Sequence, residues 1–317
     1  MSKIVMFGSF VVDLMGRAGK LPGPGETIFA HGFQTGPGGK GSNQGVAVHR
    51  AGGDLRMITK VGEDMFGQVA RDFYAAEGID DEFLLVDKEV ATGAALIMVD
   101  ETTAQNAIYI MNGASGHITS EDLERVRPEI KKAEYLLMQL ELNLDATYEI
   151  IKYAHGEGVK VVVNTAPYLP IDEKIFQYID IVTPNEIEAE CFTGVKVADE
   201  ASALQAAGIF REKGVKDVVI TLGSRGVFVL CGQEYRMIPA KKVRAVDTTG
   251  AGDAFNGGFV TALSEGKDMF SAVEFGNQTA ALSVMKKGSS VAMPLRKDID
   301  AAMLKERTEE HDEKRQI

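Results

Sequence analysis

The 317-residue chain is predicted to be an α/β protein with a doubly wound, mostly parallel sheet, helices on both faces and a small β lid. Short apolar runs bounded by turn residues recur along it, helical periodicity fills the intervals, and two further β-like segments break the alternation. The runs at 4–7, 57–61, 136–140, 159–164, 179–183 and 218–222 have the pattern of strands covered on both faces. Helical spacing of apolar residues appears at 43–51, 65–77, 122–132, 146–155, 201–213 and 251–263. The segments that break the pattern, 26–34 and 93–111, read as antiparallel ribbons outside the main sheet, the second turning at 100–106. With their flanks, at about 10–36 and 91–113, they form a candidate lid on a single domain spanning 1–317. No tandem repeat or linker divides the chain, and the charged tail from Lys305 reads as a solvated helix end or a frayed terminus.

Composition narrows the function classes. Apolar residues make up 45% of the chain, ample for a core. A net charge of -12, from 46 acidic and 34 basic residues with no basic run, argues against a nucleic-acid or anionic-membrane surface. An anionic ligand must therefore be held locally. Cys191 and Cys231 match no metal or redox spacing and are expected in the core. The apolar start is too short for a signal peptide, and no stretch approaches ~18 uncharged apolar residues. The expected location is the cytoplasm.

The strongest chemical signal is the run 246–258, Val-Asp-Thr-Thr-Gly-Ala-Gly-Asp-Ala-Phe-Asn-Gly-Gly, a Gly-rich turn feeding a helix. The backbone N–H groups of Gly250, Ala251 and Gly252 are placed to meet a developing anion, and Asp253 to accept a proton. The alternative is an ordinary turn with Asp253 capping the helix. A second Gly-rich loop, Gly36-Pro-Gly-Gly-Lys-Gly-Ser-Asn43, formally fits G-x-G-x-x-G, but it follows the lid ribbon and not the first strand of a βαβ unit. Its other reading is a polyol site, with Gly38 and Gly39 allowing close backbone approach and Lys40 and Asn43 bonding hydroxyls. No Walker A motif is present.

Asp13 and Glu141 follow strands, at the sheet edge where doubly wound proteins bind ligands; each alone is an ordinary surface acid. Asn185 and Glu188 share one side of a helix start, suited either to the waters of a phosphate-bound Mg²⁺ or to a helix cap. The run 221–226, Thr-Leu-Gly-Ser-Arg-Gly, lets backbone lie against a nucleotide or makes a hairpin turn.

Gly8-Ser9 with Asp13, the 37–43 loop, Gly62-Glu-Asp64 with Gly67, the 183–190 and 221–226 runs and Asp247-Thr-Thr-Gly-Ala-Gly-Asp253 occur in one order. In this the chain resembles the PfkB family of carbohydrate kinases, the ribokinases in particular, to about Pro294. The resemblance implies a three-layer α/β/α core with a β lid, lids that pair in a homodimer, and ATP, Mg²⁺ and an activating K⁺ as cofactors. It implies Asp253 as the base, with Gly250, Ala251 and Gly252 as the anion hole. Asp13, Gly39, Lys40, Asn43 and Glu141 would hold a sugar, preferably ribose. Asn185, Thr221, Gly223, Gly226 and Asn277 would line the ATP site, Glu188 would order Mg²⁺ through water, and Asp247, Thr249, Lys286 and Gly288 would surround the monovalent cation.

Two positions depart from the resemblance. Val11 stands where ribokinases carry Asn, which removes a partner for one sugar hydroxyl and shifts preference toward a sugar lacking it, such as 2-deoxyribose. Ala292 stands where a hydroxyl residue is common near the cation. A non-catalytic sugar-binding regulator on the same scaffold and a dinucleotide oxidoreductase are the rival functions.

Overall fold

The computed structural model describes residues 3–103 and 105–315, so Met1 and Ser2 of the expected N-terminal segment, Ala104 in the predicted turn and 316–317 of the tail lie outside the described residues. In chain order the elements begin β1 (Ile4–Phe7), β2 (Val11–Ala18), β3 (His31–Gly38), α1 (Lys40–Arg50), β4 (Leu55–Gly62), α2 (Met65–Glu77) and β5 (Leu84–Asp87). Then come β6 (Thr92–Asp100), β7 (Asn106–Gly113), α3 (Ser120–Ile130), β8 (Tyr135–Met138), α4 (Leu144–Gly156), β9 (Lys160–Val163) and β10 (Ile181–Val182). The chain continues through α5 (Glu186–Thr193), α6 (Glu200–Glu212), β11 (Asp217–Thr221), β12 (Val227–Cys231) and β13 (Glu234–Ile238). Three helices close it: α7 (Ala251–Ser264), α8 (Met269–Ser283) and α9 (Arg296–Arg315).

Nine strands form the main sheet in the order β13-β12-β11-β10-β9-β8-β1-β4-β5, parallel from β11 to β5 and antiparallel only at the β11-β12-β13 edge. Strand alternation divides the core in two. Val5 and Phe7 face the layer of α3, α4, α5 and α6, while Ile4 and Met6 face α1, α2, α7 and α8. That is the predicted three-layer architecture. The six predicted strands and six predicted helices all form, with ends displaced by a few residues.

The lid is a second sheet, β3-β2-β6-β7. The expected 93–111 ribbon is the antiparallel β6–β7 hairpin. The expected ribbon at 26–34 is corrected: β2 and β3 make that pair, and residues 26–30 are not strand. The lid is also mixed, since β2 runs parallel to β6 from Val11↔Gly93 to Ala18↔Asp100. This pairing partner is about eighty residues away, so local periodicity carries no sign of it. The cysteines are likewise corrected: Cys191 is exposed on α5, and Cys231 is half-buried at the end of β12. Among the described residues no helix is long and apolar enough to cross a membrane.

Candidate active site

Two helices point their N-termini at one edge of the main sheet, and both begin at a glycine, which supplies no capping side chain of its own. Gly250, at φ 75°, precedes α7, and Gly39, at φ 89°, precedes α1. This backbone region suits glycine. At Gly39 a Cβ would also lie 2.9 Å from the Ser9 carbonyl oxygen. Gly252 is glycine without such need, because a Cβ there meets nothing within 4 Å. The first turn of α7 thus stands open beside the positive end of its dipole. Ala251 contributes less to the expected anion hole than its neighbours, because its N–H donates to the Thr248 carbonyl at 3.2 Å.

Asp253, in that first turn, is buried and does not cap the helix. Its side chain crosses to α1, where Oδ2 accepts from Asn43 Nδ2 at 2.9 Å and Oδ1 from Gln44 Nε2 at 2.9 Å. Burial pushes the carboxyl up from the ordinary range, while Lys40, Gln44 and Asn43 pull it back toward ionisation. Asn43 was expected to bond sugar hydroxyls; here its amide nitrogen serves the carboxylate and its oxygen accepts from Ser290 Oγ.

Lys40 is the local cation that the acidic surface requires. Burial depresses its ammonium, but Asp253, Glu141 and Glu188 more than offset this and hold it above its usual value. Its backbone N–H donates to Glu141 Oε2 at 2.9 Å, and Ser9 Oγ donates to the same oxygen. Glu141 is raised by burial against the pull of Lys40 and Ser9. Asp13 is pushed up to about 6 by burial and by the charges of Glu141 and Asp253. Its carboxylate occupies the space over Gly38, where a Cβ would come within 2.2 Å of Oδ1. Val11 lies buried at the root of the lid between Gly38 and Gly93.

Lys40, Asp253, Gly250, Ala251, Gly252 and Glu188 line a cleft of about 180 Å³ whose wall includes Asn185 and Thr221. Asn185 and Glu188 form a reciprocal capping box on α5, so the cap reading is realised, yet Glu188 faces the cleft with its carboxyl raised by burial. The 221–226 loop is also the hairpin turn into β12. A Cβ on Gly226 would meet the Ile238 oxygen at 2.0 Å, a backbone reason for that glycine, whereas Gly223 borders open space. Asn277 is buried on α8 and donates to the Pro239 carbonyl at 2.8 Å, which positions the strand that enters 240–244 and does not put its amide in the cleft. That segment, with Ser224, lines a second cavity of about 490 Å³ carrying Lys241, Lys242 and Arg244. The basic segment escaped the sequence reading because it lacks regular periodicity.

Asp247, Thr249 and Gly288 come together as expected. Asp247 Oδ1 accepts the Thr249 N–H and Oδ2 the Gly288 N–H, each at 3.0 Å, and these amides outweigh burial to hold the carboxyl low. The Lys286 side chain is exposed on the same loop. Sequence reasoning missed Gln44, Asn164, Gln139, Asn256 and Ser290, all buried polar residues. Gln139 and Asn164 carried one sequence signal, polarity near the ends of predicted strands, whereas Gln44 and Ser290 lie in the polar, Gly-containing stretches 41–45 and 286–290 and carried none.

The pfkB family carbohydrate kinase model matches residues 1–296. The chain belongs to the PfkB family of carbohydrate kinases. It is therefore a phosphotransferase acting on an alcohol group of a carbohydrate, as its motifs implied. This PfkB kinase is 41% identical over 295 residues to a ribokinase of Haemophilus influenzae, covering 93% of the chain and 96% of that relative. It is 33% identical over 292 residues to a deoxyribokinase of Salmonella typhimurium, covering 92% of the chain and 95% of that relative. Among solved structures, Arabidopsis thaliana ribokinase complexed with ribose and ATP superposes with a TM-score of 0.87 at 30% identity, covering 94% of this chain and 97% of that one.

Proposed function

We propose that this PfkB kinase transfers the γ-phosphoryl group of ATP to the primary hydroxyl of a pentose, D-ribose foremost, to give ribose 5-phosphate. The observation that carries the reading is the buried Asp253 carboxylate, aimed by two amides and set between Lys40 and the open turn of α7. The sugar hydroxyl loses its proton to Asp253 as the phosphoryl group transfers. Lys40 and the α7 turn face the charge on the equatorial oxygens. Asp13, Glu141 and the backbone at Gly39 hold the other hydroxyls, and Asn43 offers its remaining amide hydrogen.

The basic cavity beside Ser224 takes the nucleotide, Lys241 being held by Glu306 of α9 at 2.6 Å. Mg²⁺ arriving with ATP supplies charge neutralisation, with Asn185 and Glu188 suited to hold its waters. The ionised Asp247 fits a K⁺ as an oxygen ligand, with Thr249, Gly288 and Lys286 supplying the rest of the loop. The lid excludes water from the transfer, so lid disruption should raise sugar-independent ATPase. The lid leaves Phe33, Leu96, Ile108, Tyr109 and Ile110 exposed, Leu96 and Tyr109 on one face of the β6–β7 pair and Ile108 and Ile110 on the other, apolar surface suited to pairing with a second copy; sedimentation as a monomer would refute that pairing.

A second acceptor, 2-deoxyribose, is favoured by Val11, whose buried apolar side chain offers no partner to a hydroxyl. Both are decided by kcat/KM for ribose, 2-deoxyribose, other pentoses, fructose and nucleosides in an assay of sugar-dependent ADP release. No sugar-dependent release would make the protein a sugar-binding regulator. Asp253→Asn should fold normally and lose on the order of 10²- to 10⁴-fold in turnover; near-native turnover would sink its role as base. Val11→Asn should raise the ribose to 2-deoxyribose ratio on the order of ten-fold or more, and an unmoved ratio would remove Val11 from specificity.

A further inference from the structure

Both oxygens of Asp253 are served by carboxamides, and each carboxamide is itself held from behind. Asn43 Oδ1 accepts from Ser290 Oγ, and Gln44 Oε1 accepts from Gln139 Nε2 at 2.7 Å. Gln44 Nε2 also donates to Asn164 Oδ1 at 3.1 Å, and Asn164 is fixed in turn by donating to the Thr183 carbonyl at 2.7 Å. Ser290, Gln44 and Gln139 are almost fully buried.

We propose that Ser290 and Gln139 are positioning residues: each locks a carboxamide so that its nitrogen, and not its oxygen, faces Asp253. This deepens the reading of Asp253 as the base and rests on it. A carboxamide presents donor and acceptor ends of nearly equal shape, so sterics alone do not choose between them. A reversed Asn43 or Gln44 would set oxygen against carboxylate oxygen in a buried site, which disfavours the ionised base. A donor placed behind each amide oxygen pairs that oxygen in the orientation that serves Asp253, and at Gln44 the orientation is reinforced by Asn164 Oδ1, itself fixed because Asn164 Nδ2 donates to a carbonyl that can only accept.

Two details support the assignment. Gln139 turns its nitrogen to Gln44 Oε1 while its own Oε1 stays buried with no partner, so the contact to Gln44 is the polar bond this side chain makes to another amide. Ser290 sits on a loop pinned by Arg50, whose Nη1 donates to the carbonyls of Val291 at 3.1 Å and Met293 at 2.8 Å. Arg50 is braced by a two-pronged pair with Glu77 at 2.8 and 2.6 Å. The same loop carries Gly288, bonded to Asp247. The charged groups around Asp253 are Lys40 from α1, Glu188 from α5, Glu141 after β8 and Asp13 from β2; none changes when either positioning residue is replaced.

The test is the acid limb of kcat against pH at saturating ribose and MgATP, where titrations shared by all variants cancel. Ser290→Ala should move that limb upward and lower turnover at neutral pH by roughly ten-fold, leaving the KM for ATP in place. In an Asn43→Ala background the same substitution should move nothing further. A limb that stays put in Ser290→Ala, or that shifts equally without Asn43, overturns the proposal for Ser290. Gln139→Met, alone and with Gln44→Met, repeats the cycle on the other oxygen and decides the matter if Ser290→Ala does not fold. Asp253→Asn separates the two levels. If it keeps turnover, the base reading fails; if it abolishes turnover while neither limb moves, only the positioning proposal fails.

Discussion

Five helices carry a side-chain cap; α1, α4 and α7 do not, and of these three only α1 and α7 begin at a glycine, α4 beginning at Asn143. Asp64 caps α2, Asp268 caps α8, and α3, α5 and α6 have reciprocal capping boxes at Thr119/Asp122, Asn185/Glu188 and Asp199/Ser202. By contrast, α1 and α7 begin at Gly39 and Gly250 with no side-chain cap. These are the helices that meet at Lys40 and Asp253. The capped starts satisfy their own N–H groups and add stability, whereas the bare starts leave N–H groups and dipole for something else. At α1 that is Glu141, bonded to the Lys40 N–H, and Ser9, whose Oγ and carbonyl accept from Gly41 and Ser42; at α7 it is the cleft. The helix α5 does both, since its capping box is also a cleft wall.

The largest expected effect comes from closing a bare start. Gly252→Asp places a carboxylate in open space at the first turn of α7, where it favours the helix dipole but occupies the anion cradle. Turnover should fall on the order of 10²- to 10³-fold while the thermal midpoint holds or rises. A parallel loss of stability and activity would break the contrast between bare and capped starts.

Next is the pH response at the cleft. Asp13, raised to about 6, accepts sugar hydroxyls with both oxygens only when ionised, protonation turning one of them into a donor, so the KM for ribose should climb by up to roughly ten-fold per unit below that pH. The sign for stability is opposite. The folded state binds this proton more tightly than the unfolded chain, so the contribution is complete below the ordinary carboxylate value and is lost as pH rises through about 6. A flat KM profile that persists through this window would exclude Asp13 as a hydroxyl acceptor.

Smallest is the loss of an ordinary cap. Asp199→Ala at α6 should cost about 1 kcal/mol in urea unfolding and leave kcat unchanged, since its box bonds only within 198–202. A fall in kcat there would mean that helix stability in general, and not the bare starts, governs turnover.

Much of this site was legible before the fold. Glycine, charge and strand-end position are local features, so Lys40, Asp253, Glu141 and the 250–252 turn could be read directly. What those residues touch was less legible. Asn43 reads as a sugar ligand because its neighbours Gly39 and Lys40 do; that it serves Asp253 depends on the packing of α1 against α7. The 26–34 ribbon failed for a related reason, because periodicity reports which face is buried and not which strand lies alongside.

The sequence by itself determined the alternation of strands and helices, the two glycine-rich helix starts, the acidic surface with one local cation, and Val11 in place of a polar residue. Tertiary structure alone decided the mixed lid, the basic wall at 240–244 and the second layer behind the base. Ser290 lies 247 residues from Asn43, and Gln139 lies 95 from Gln44. A hydrogen bond between buried polar groups depends on distances of a few ångströms that chain separation does not encode, so only the closing of α1, α7 and the sheet onto one another could bring those donors to the amides behind Asp253.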